Sequence, residues 1–125
     1  MDKVFEWTKP TVQMLGRFQP WHDGHTALFK KALEMTGQVC IMLRHIDDEN
    51  NPFDINQTSS MISVALAKEG YYSGQHYTII VVPNIINISY GRGVGYTFTQ
   101  HDLGEEIHNI SATKIREEMK KEGKL

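Results

Sequence analysis

Residues 11–25 read TVQMLGRFQPWHDGH, and they mark where a first strand ends and a first helix begins. The stretch opens with an apolar, strand-like run, after which Gly16 and Pro20 interrupt the regular pattern. His22 and His25 follow about one helical turn apart, at the start of a helical pattern. Side chains at this spacing face the same side of a helix. The free backbone N–H groups in the first turn of a helix attract anions. The stretch therefore predicts a strand, a turn and a helix whose beginning can hold an anionic group.

Strands and helices alternate along the rest of the chain. We expect strands at 11–15, 39–43 and 77–82, helices at 24–36, 57–69 and 112–121, and a polar loop at 47–56. The run 39–43 is almost continuously apolar, which is typical of a strand buried on both faces of a parallel sheet. The pattern predicts an α/β fold, a Rossmann-like doubly wound parallel sheet, with its ligand site at the carboxyl ends of the strands.

The composition fits one small domain. A chain of 125 residues can bury one core, so we expect a single domain over residues 1–125. A net charge of −2 gives no electrostatic reason to expect binding to nucleic acid or to a membrane. The single cysteine, Cys40, is expected to be a buried small hydrophobe. The sequence has no membrane-length apolar run and no signal-peptide pattern at its N-terminus, so we expect a cytoplasmic protein.

Two short motifs resemble those of one superfamily. Residues 22–25 (HDGH) resemble the HxGH motif of the nucleotidyltransferases, the superfamily of cytidylyltransferases and adenylyltransferases related to class I tRNA synthetases. Residues 110–116 (ISATKIR) are similar to the ISxTxxR segment of the same superfamily. The two motifs occur in the superfamily's order, and the resemblance covers about residues 11–116.

The resemblance implies an enzyme that transfers CMP or AMP from a nucleoside triphosphate to a phosphate- or phosphonate-bearing small molecule, with release of pyrophosphate. It implies catalytic roles for His22, His25 and Arg116. Residues expected to hold the nucleotide and its phosphates are Gly16, Arg17, Phe18, Gly24, Arg44, Ile110, Ser111 and Thr113. Magnesium is expected to arrive on the triphosphate, with no side-chain ligands, because Mg²⁺ keeps most of its waters and bridges phosphate oxygens.

The residue types are consistent with these roles. Imidazole N–H groups can stabilise charge that develops on a phosphate, and Gly24 would let a ligand approach the backbone. Ser111 is a good helix N-cap, and Arg116 offers a planar fork for outgoing phosphates. Taken alone, the second motif is more typical of an ordinary capped surface helix, and only its pairing with the first motif favours phosphate binding.

The glycine-rich stretch 88–96 is expected to border the site after the third strand. Tyr90 and Arg92 are its candidates for binding the acceptor, and a hairpin turn without a ligand is the alternative interpretation. Four further histidines, His45, His76, His101 and His108, show no carboxylate or cysteine spacing that would support a zinc site.

The sequence leaves the substrates open. The GRFQP form of the first motif resembles the nicotinamide-mononucleotide adenylyltransferase branch, whereas several cytidylyltransferases carry Gly-x-Phe-Asp there. Residues 90–96, however, do not resemble the corresponding stretch of the nicotinamide branch.

The chain ends soon after Arg116, where many relatives continue, so we expect part of the nucleotide enclosure to be absent. Homo-oligomer formation also stays open. The alternatives are a non-catalytic nucleotide-binding or regulatory domain and a subunit that needs a partner domain; an RNA binder is disfavoured by the neutral charge.

Overall fold

A computed structural model describes residues 3–93, 95–108 and 110–125. Its sheet has three parallel strands in the order β1 (Val12–Gly16), β2 (Val39–Arg44) and β3 (Tyr77–Val82). The helices are α1 (Asp23–Thr36), α2 (Ile55–Lys68), α3 (Glu105–His108) and α4 (Ala112–Lys121). The order of strands and helices confirms the predicted α/β, Rossmann-like architecture.

The register brings the carboxyl ends of the strands together. Gly16 of β1 lies beside Leu43 of β2, and Leu43 lies beside Val81 of β3. The turn 16–21 and the segment after β3 therefore leave the same edge of the sheet. This is the edge at which open parallel sheets bind ligands.

Local sequence explains where the two long helices begin and end. Helix α1 stops at Gly37, whose positive φ of 85° lets its N–H bond to the carbonyl of Leu33 at 2.7 Å. Helix α2 starts two residues before its predicted position, because Asp54 and Gln57 form a reciprocal capping box. The last two residues of the predicted loop 47–56 therefore belong to α2.

The core lies on one face of the sheet. It consists of strand residues packed against α1 and α2, among them Met14, Val39, Ile41, Leu43, Tyr77, Phe29, Ala32, Ile62 and Leu66. Burying each of the larger of these side chains contributes roughly 1.5–3 kcal/mol. This core fixes the sheet edge from which the site residues project.

The expectation that β2 is buried on both faces was wrong. Val39, Ile41 and Leu43 are buried, but the alternate residues Cys40 and Met42 are only half-buried. Two successive right-handed crossovers that advance in one direction place both helices on the same side of the sheet. The opposite side is left with partial cover, so Cys40 is not the buried residue that its apolar neighbours suggested.

The segment after β3, residues 83–104, lacks regular structure in its described part and is largely exposed; we call it the open segment. Its described residues between Pro83 and Gly104 form neither helix nor strand, so they do not form a hairpin; Val94 lies outside the described residues. Ile86, Tyr96 and Phe98 are between 72% and 86% exposed. Within the described part of the chain, no helix is long and apolar enough to cross a membrane.

Candidate active site

The turn after β1 is a packed structure. Phe18, Gln19 and Trp21 are all less than 10% exposed, whereas Arg17 points into solvent. A Cβ atom at Gly16 would lie 2.8 Å from the ring of Phe18, so the glycine leaves room for that ring. The structure therefore places the Phe18 side chain in the core and leaves the Arg17 side chain exposed.

The two motif histidines form a stacked pair at the beginning of α1. Their ring centroids are 3.8 Å apart, and the ring planes differ by 27°. The backbone N–H of Gly24 donates to Nδ1 of His22, and the backbone N–H of His22 donates to Nδ1 of His25, each at 3.0 Å. Because both Nδ1 atoms accept, each neutral ring carries its proton on Nε2. The pair thus offers two N–H donors.

Burial favours the neutral form of both rings. Desolvation, with a smaller contribution from the neighbouring His22, lowers the pKa of His25 from 6.5 to about 3. Desolvation also lowers the pKa of His22, an effect that the carboxylate of Asp23 partly offsets. At neutral pH the pair therefore consists of neutral donors, which suits hydrogen bonding to a phosphate better than proton abstraction from an acceptor.

Aromatic neighbours hold the ring of His25 in place. Phe18 contacts it edge-on with a centroid distance of 5.0 Å, and Trp21 lies 5.2 Å away. The indole N–H of Trp21 donates to Oγ1 of Thr26 at 2.8 Å, and both residues are buried. Sequence reasoning missed this Trp21–Thr26 pair, although the spacing of a Trp five residues before a Thr in the first turn was visible.

Gly24 has a steric role in addition to the one expected. A Cβ atom there would lie 2.8 Å from Cε1 of His22, so a side chain would displace the imidazole itself. That Gly24 also lets a ligand approach the backbone stays a prediction. The glycine makes room for the stacked pair.

The second motif reaches the first through Arg116. This residue is 8% exposed, and its Nη1 donates to the backbone carbonyl of Gln19 at 2.5 Å. Its Nη2 donates to Oγ1 of Thr113 at 3.2 Å. Ser111 caps α4 by accepting from the N–H of Lys114, and Ile110 before it is half-buried. The guanidinium therefore ties α4 to the turn after β1.

Gln19 also binds the loop before α2. Its amide Nε2 donates to the carbonyl of Phe53 at 3.0 Å, and the N–H of Phe53 donates back to its Oε1 at 3.0 Å. Gln19 is thus bonded to Phe53 through its side chain and to Arg116 through its carbonyl. These contacts of Gln19 could not be predicted from local sequence, because they join residues far apart in the chain.

Arg44 lies where β2 ends. Its Nη2 donates to Oδ1 of Asn84 at 2.7 Å, and its Nε is buried without a hydrogen-bond partner among the described residues. Beside it lies an open groove of about 480 Å³, lined by Leu15, Arg44, Ile85, Ile86, Asn87 and Ile88. Tyr90 and Arg92, the predicted acceptor-binding residues, are exposed and do not line this groove.

The described side chains form no cage for a metal. Across residues 3–93, 95–107 and 110–125, no three His, Cys, Asp or Glu side chains cluster in a way that could hold an ion. The donors near the pair are imidazole and guanidinium groups, which are not the oxygen ligands that Mg²⁺ prefers. These residues fit a magnesium ion only if phosphate oxygens and water coordinate it.

The chain is similar to one known protein family and to a solved enzyme structure. A family described as cytidylyltransferase-like matches residues 14–90, which include the histidine pair, the end of β1 and all of β2 and β3. A solved structure, the bifunctional NMN adenylyltransferase/ADP ribose pyrophosphatase of Francisella tularensis complexed with AMP and a manganese ion, is similar with 26% identity and a TM-score of 0.53. The similarity covers 60% of this chain and 23% of that enzyme. No curated protein matches the chain.

Proposed function

The chain belongs to the cytidylyltransferase-like family, and we propose that it transfers CMP or AMP from a nucleoside triphosphate to a phosphate- or phosphonate-bearing small molecule. The observation that carries the proposal is the stacked pair of neutral histidines at the start of α1. The pair lies beyond the carboxyl end of β1, where parallel sheets bind nucleotides. Membership of the family supports nucleotidyl transfer in general, and we propose the nucleotide and the class of acceptor in addition.

The reaction needs little from the protein beyond positioning and charge stabilisation. An anionic oxygen of the acceptor forms a bond to the α-phosphorus, and the bond from that phosphorus to the bridging oxygen of the β-phosphate breaks. The electron pair of that bond leaves with pyrophosphate. The Nε2–H groups of His22 and His25 donate to α-phosphate oxygens as charge increases on them. Neither histidine has to remove a proton, since the acceptor phosphate is already ionised.

Helix α4 is proposed to hold the departing phosphates. Ser111 and Thr113 lie at its start, where free N–H groups and the helix dipole favour anions. Arg116 contributes a buried positive charge that no carboxylate in the described residues neutralises by a salt bridge. A magnesium ion bound by the triphosphate would neutralise part of the phosphate charge.

The first experiment measures thermal stability with ATP, CTP, GTP and UTP, each with and without MgCl₂. A ligand at 100 times its Kd should stabilise the protein by ~2.7 kcal/mol. We expect a larger shift with ATP or CTP than with the other two. The preferred triphosphate is then tested for pyrophosphate release with a panel of phosphorylated acceptors. Binding without release for every acceptor would favour a non-catalytic nucleotide-binding domain.

A further inference from the structure

The groove beside Arg44 is separate from the histidine pair but opens at the same sheet edge. Leu15 is the residue before the end of β1, Arg44 ends β2, and residues 85–88 follow β3. The groove is therefore formed by the carboxyl ends of β1 and β2 and by the segment that follows β3. Its volume of about 480 Å³ lies within the range of small-molecule sites.

One end of the groove is suited to an anion. Asn84 holds the guanidinium of Arg44 through Nη2 at 2.7 Å, while the buried Nε has no partner among the described residues. Asn84 thus holds the guanidinium at the end of β2, where Arg44 supplies the one charged side chain in the described lining of the groove. An arginine fork also matches the geometry of phosphate and phosphonate oxygens.

The rest of the groove is aliphatic. Leu15, Ile85, Ile86 and Ile88 line it, and the amide of Asn87 is the other polar group in the described lining. That lining contains neither an aromatic ring nor a carboxylate, the groups that bind flat cationic rings and quaternary ammonium ions. It likewise offers no aromatic face on which a nucleobase could stack.

We infer that this groove binds the acceptor, and that it selects a phosphate or phosphonate attached to an uncharged, apolar body. The inference rests on the proposed function and adds a substrate class to it. The phosphate meets Arg44, and the carbon body contacts the aliphatic side chains. Acceptors with a cationic body, such as nicotinamide mononucleotide or a phosphorylated quaternary ammonium alcohol, lack partners here and are disfavoured.

Direct titration of the full chain tests the groove without requiring turnover. Butyl phosphate is titrated calorimetrically into the free protein, with nicotinamide mononucleotide as the comparison ligand. We expect butyl phosphate to bind at least about 10-fold more tightly than nicotinamide mononucleotide. Arg44→Gln should weaken butyl phosphate binding about 10-fold or more, because a charge-assisted hydrogen bond is lost.

A second pair of variants separates a binding effect from a folding effect. Ile86 lines the groove and is 86% exposed, so Ile86→Asn should fold normally and weaken butyl phosphate binding. Val64, on α2 and 56% exposed, lies outside the groove, and Val64→Asn is the matched control that should bind normally. Equal binding by wild type, Arg44→Gln and Ile86→Asn would overturn the inference.

The outcomes distinguish the two proposals. If butyl phosphate binds through Arg44 but no acceptor yields pyrophosphate, the groove assignment stands and the proposed function fails. If pyrophosphate is released as fast with nicotinamide mononucleotide as with butyl phosphate, and Arg44→Gln changes neither rate, the function stands and the groove assignment fails. Displacement of butyl phosphate by CTP or ATP would assign the groove to the nucleotide and overturn the inference.

Discussion

Two regions leave the same edge of the sheet and differ in how firmly they are held. The turn and helix start over 16–26 has buried side chains and hydrogen bonds to two distant segments. The segment 83–104 carries exposed apolar side chains and no regular structure in its described residues. The first region holds the proposed phosphate chemistry, and the second borders the proposed acceptor groove.

The difference has a physical reason. Charge stabilisation in a transition state requires donors that are already in place, so their surroundings must be rigid. A surface loop that recognises a substrate needs fewer packing contacts than a catalytic turn does, and its sequence varies more readily among related proteins. The reaction type can therefore be inferred from the packed region, whereas the acceptor depends on the less constrained one.

The largest expected effect tests the packed region. His25→Ala should lower kcat by about 100-fold or more, because a preorganised donor to the α-phosphate is removed. Pyrophosphate release at saturating substrates measures it, and circular dichroism checks the fold. His76→Ala, at the opposite end of the sheet next to Tyr77, is the control. Rates near wild type for both His25→Ala and His22→Ala would exclude the proposed role of the pair.

Arg116→Met tests the link between the two motifs. The substitution should lower the free energy of unfolding by about 1.5–3 kcal/mol, because the buried carbonyl of Gln19 loses a charged donor. Urea denaturation measures the change. Lys120→Met, on the exposed side of the same helix, should change stability by less than about 0.5 kcal/mol. Equal effects of the two substitutions would show that Arg116 does not brace the turn.

The histidine pair should make stability depend on pH. The pKa of His25 is about 3 in the folded chain and 6.5 when exposed, so between these values the unfolded state binds more protons. The stabilisation is complete above pH 6.5 and is lost as the pH falls toward 3. Acidification from pH 7 to pH 5 should therefore lower the free energy of unfolding by about 2 kcal/mol.

His22 and His76, whose pKa values are also lowered by burial, act in the same direction. Denaturation at a series of pH values, repeated with His25→Gln, isolates the part due to His25. If the variant and the wild type have the same pH dependence, His25 is not held neutral by its surroundings.

The smallest effect is expected in the open segment. Tyr96 is 77% exposed, and Tyr96→Ala should change the free energy of unfolding by no more than about 0.5 kcal/mol. Tyr77, which is 1% exposed, is the matched residue in the core, and truncating it should cost about 3–5 kcal/mol. A loss of more than about 1 kcal/mol for Tyr96→Ala would show that the segment packs more firmly than its exposure indicates.

Much of the local architecture could be predicted from the sequence. The strand at 77–82 and the helix at 112–121 lie where periodicity and capping residues placed them. The third helix, Glu105–His108, was not expected, since four residues carry too little periodicity to be recognised. The burial of β2 was misjudged because an apolar run does not reveal which side of a sheet its helices cover.

By itself, the sequence determined the alternation of strands and helices, the histidine spacing and the family, because these depend on residue type and local periodicity. Only the tertiary structure decided that both Nδ1 atoms accept backbone hydrogen bonds, that Gln19 meets Phe53 and Arg116, and that Arg44 adjoins an aliphatic groove. Each of these contacts joins groups whose distance and orientation depend on how whole elements pack. A linear pattern carries no information about such geometry.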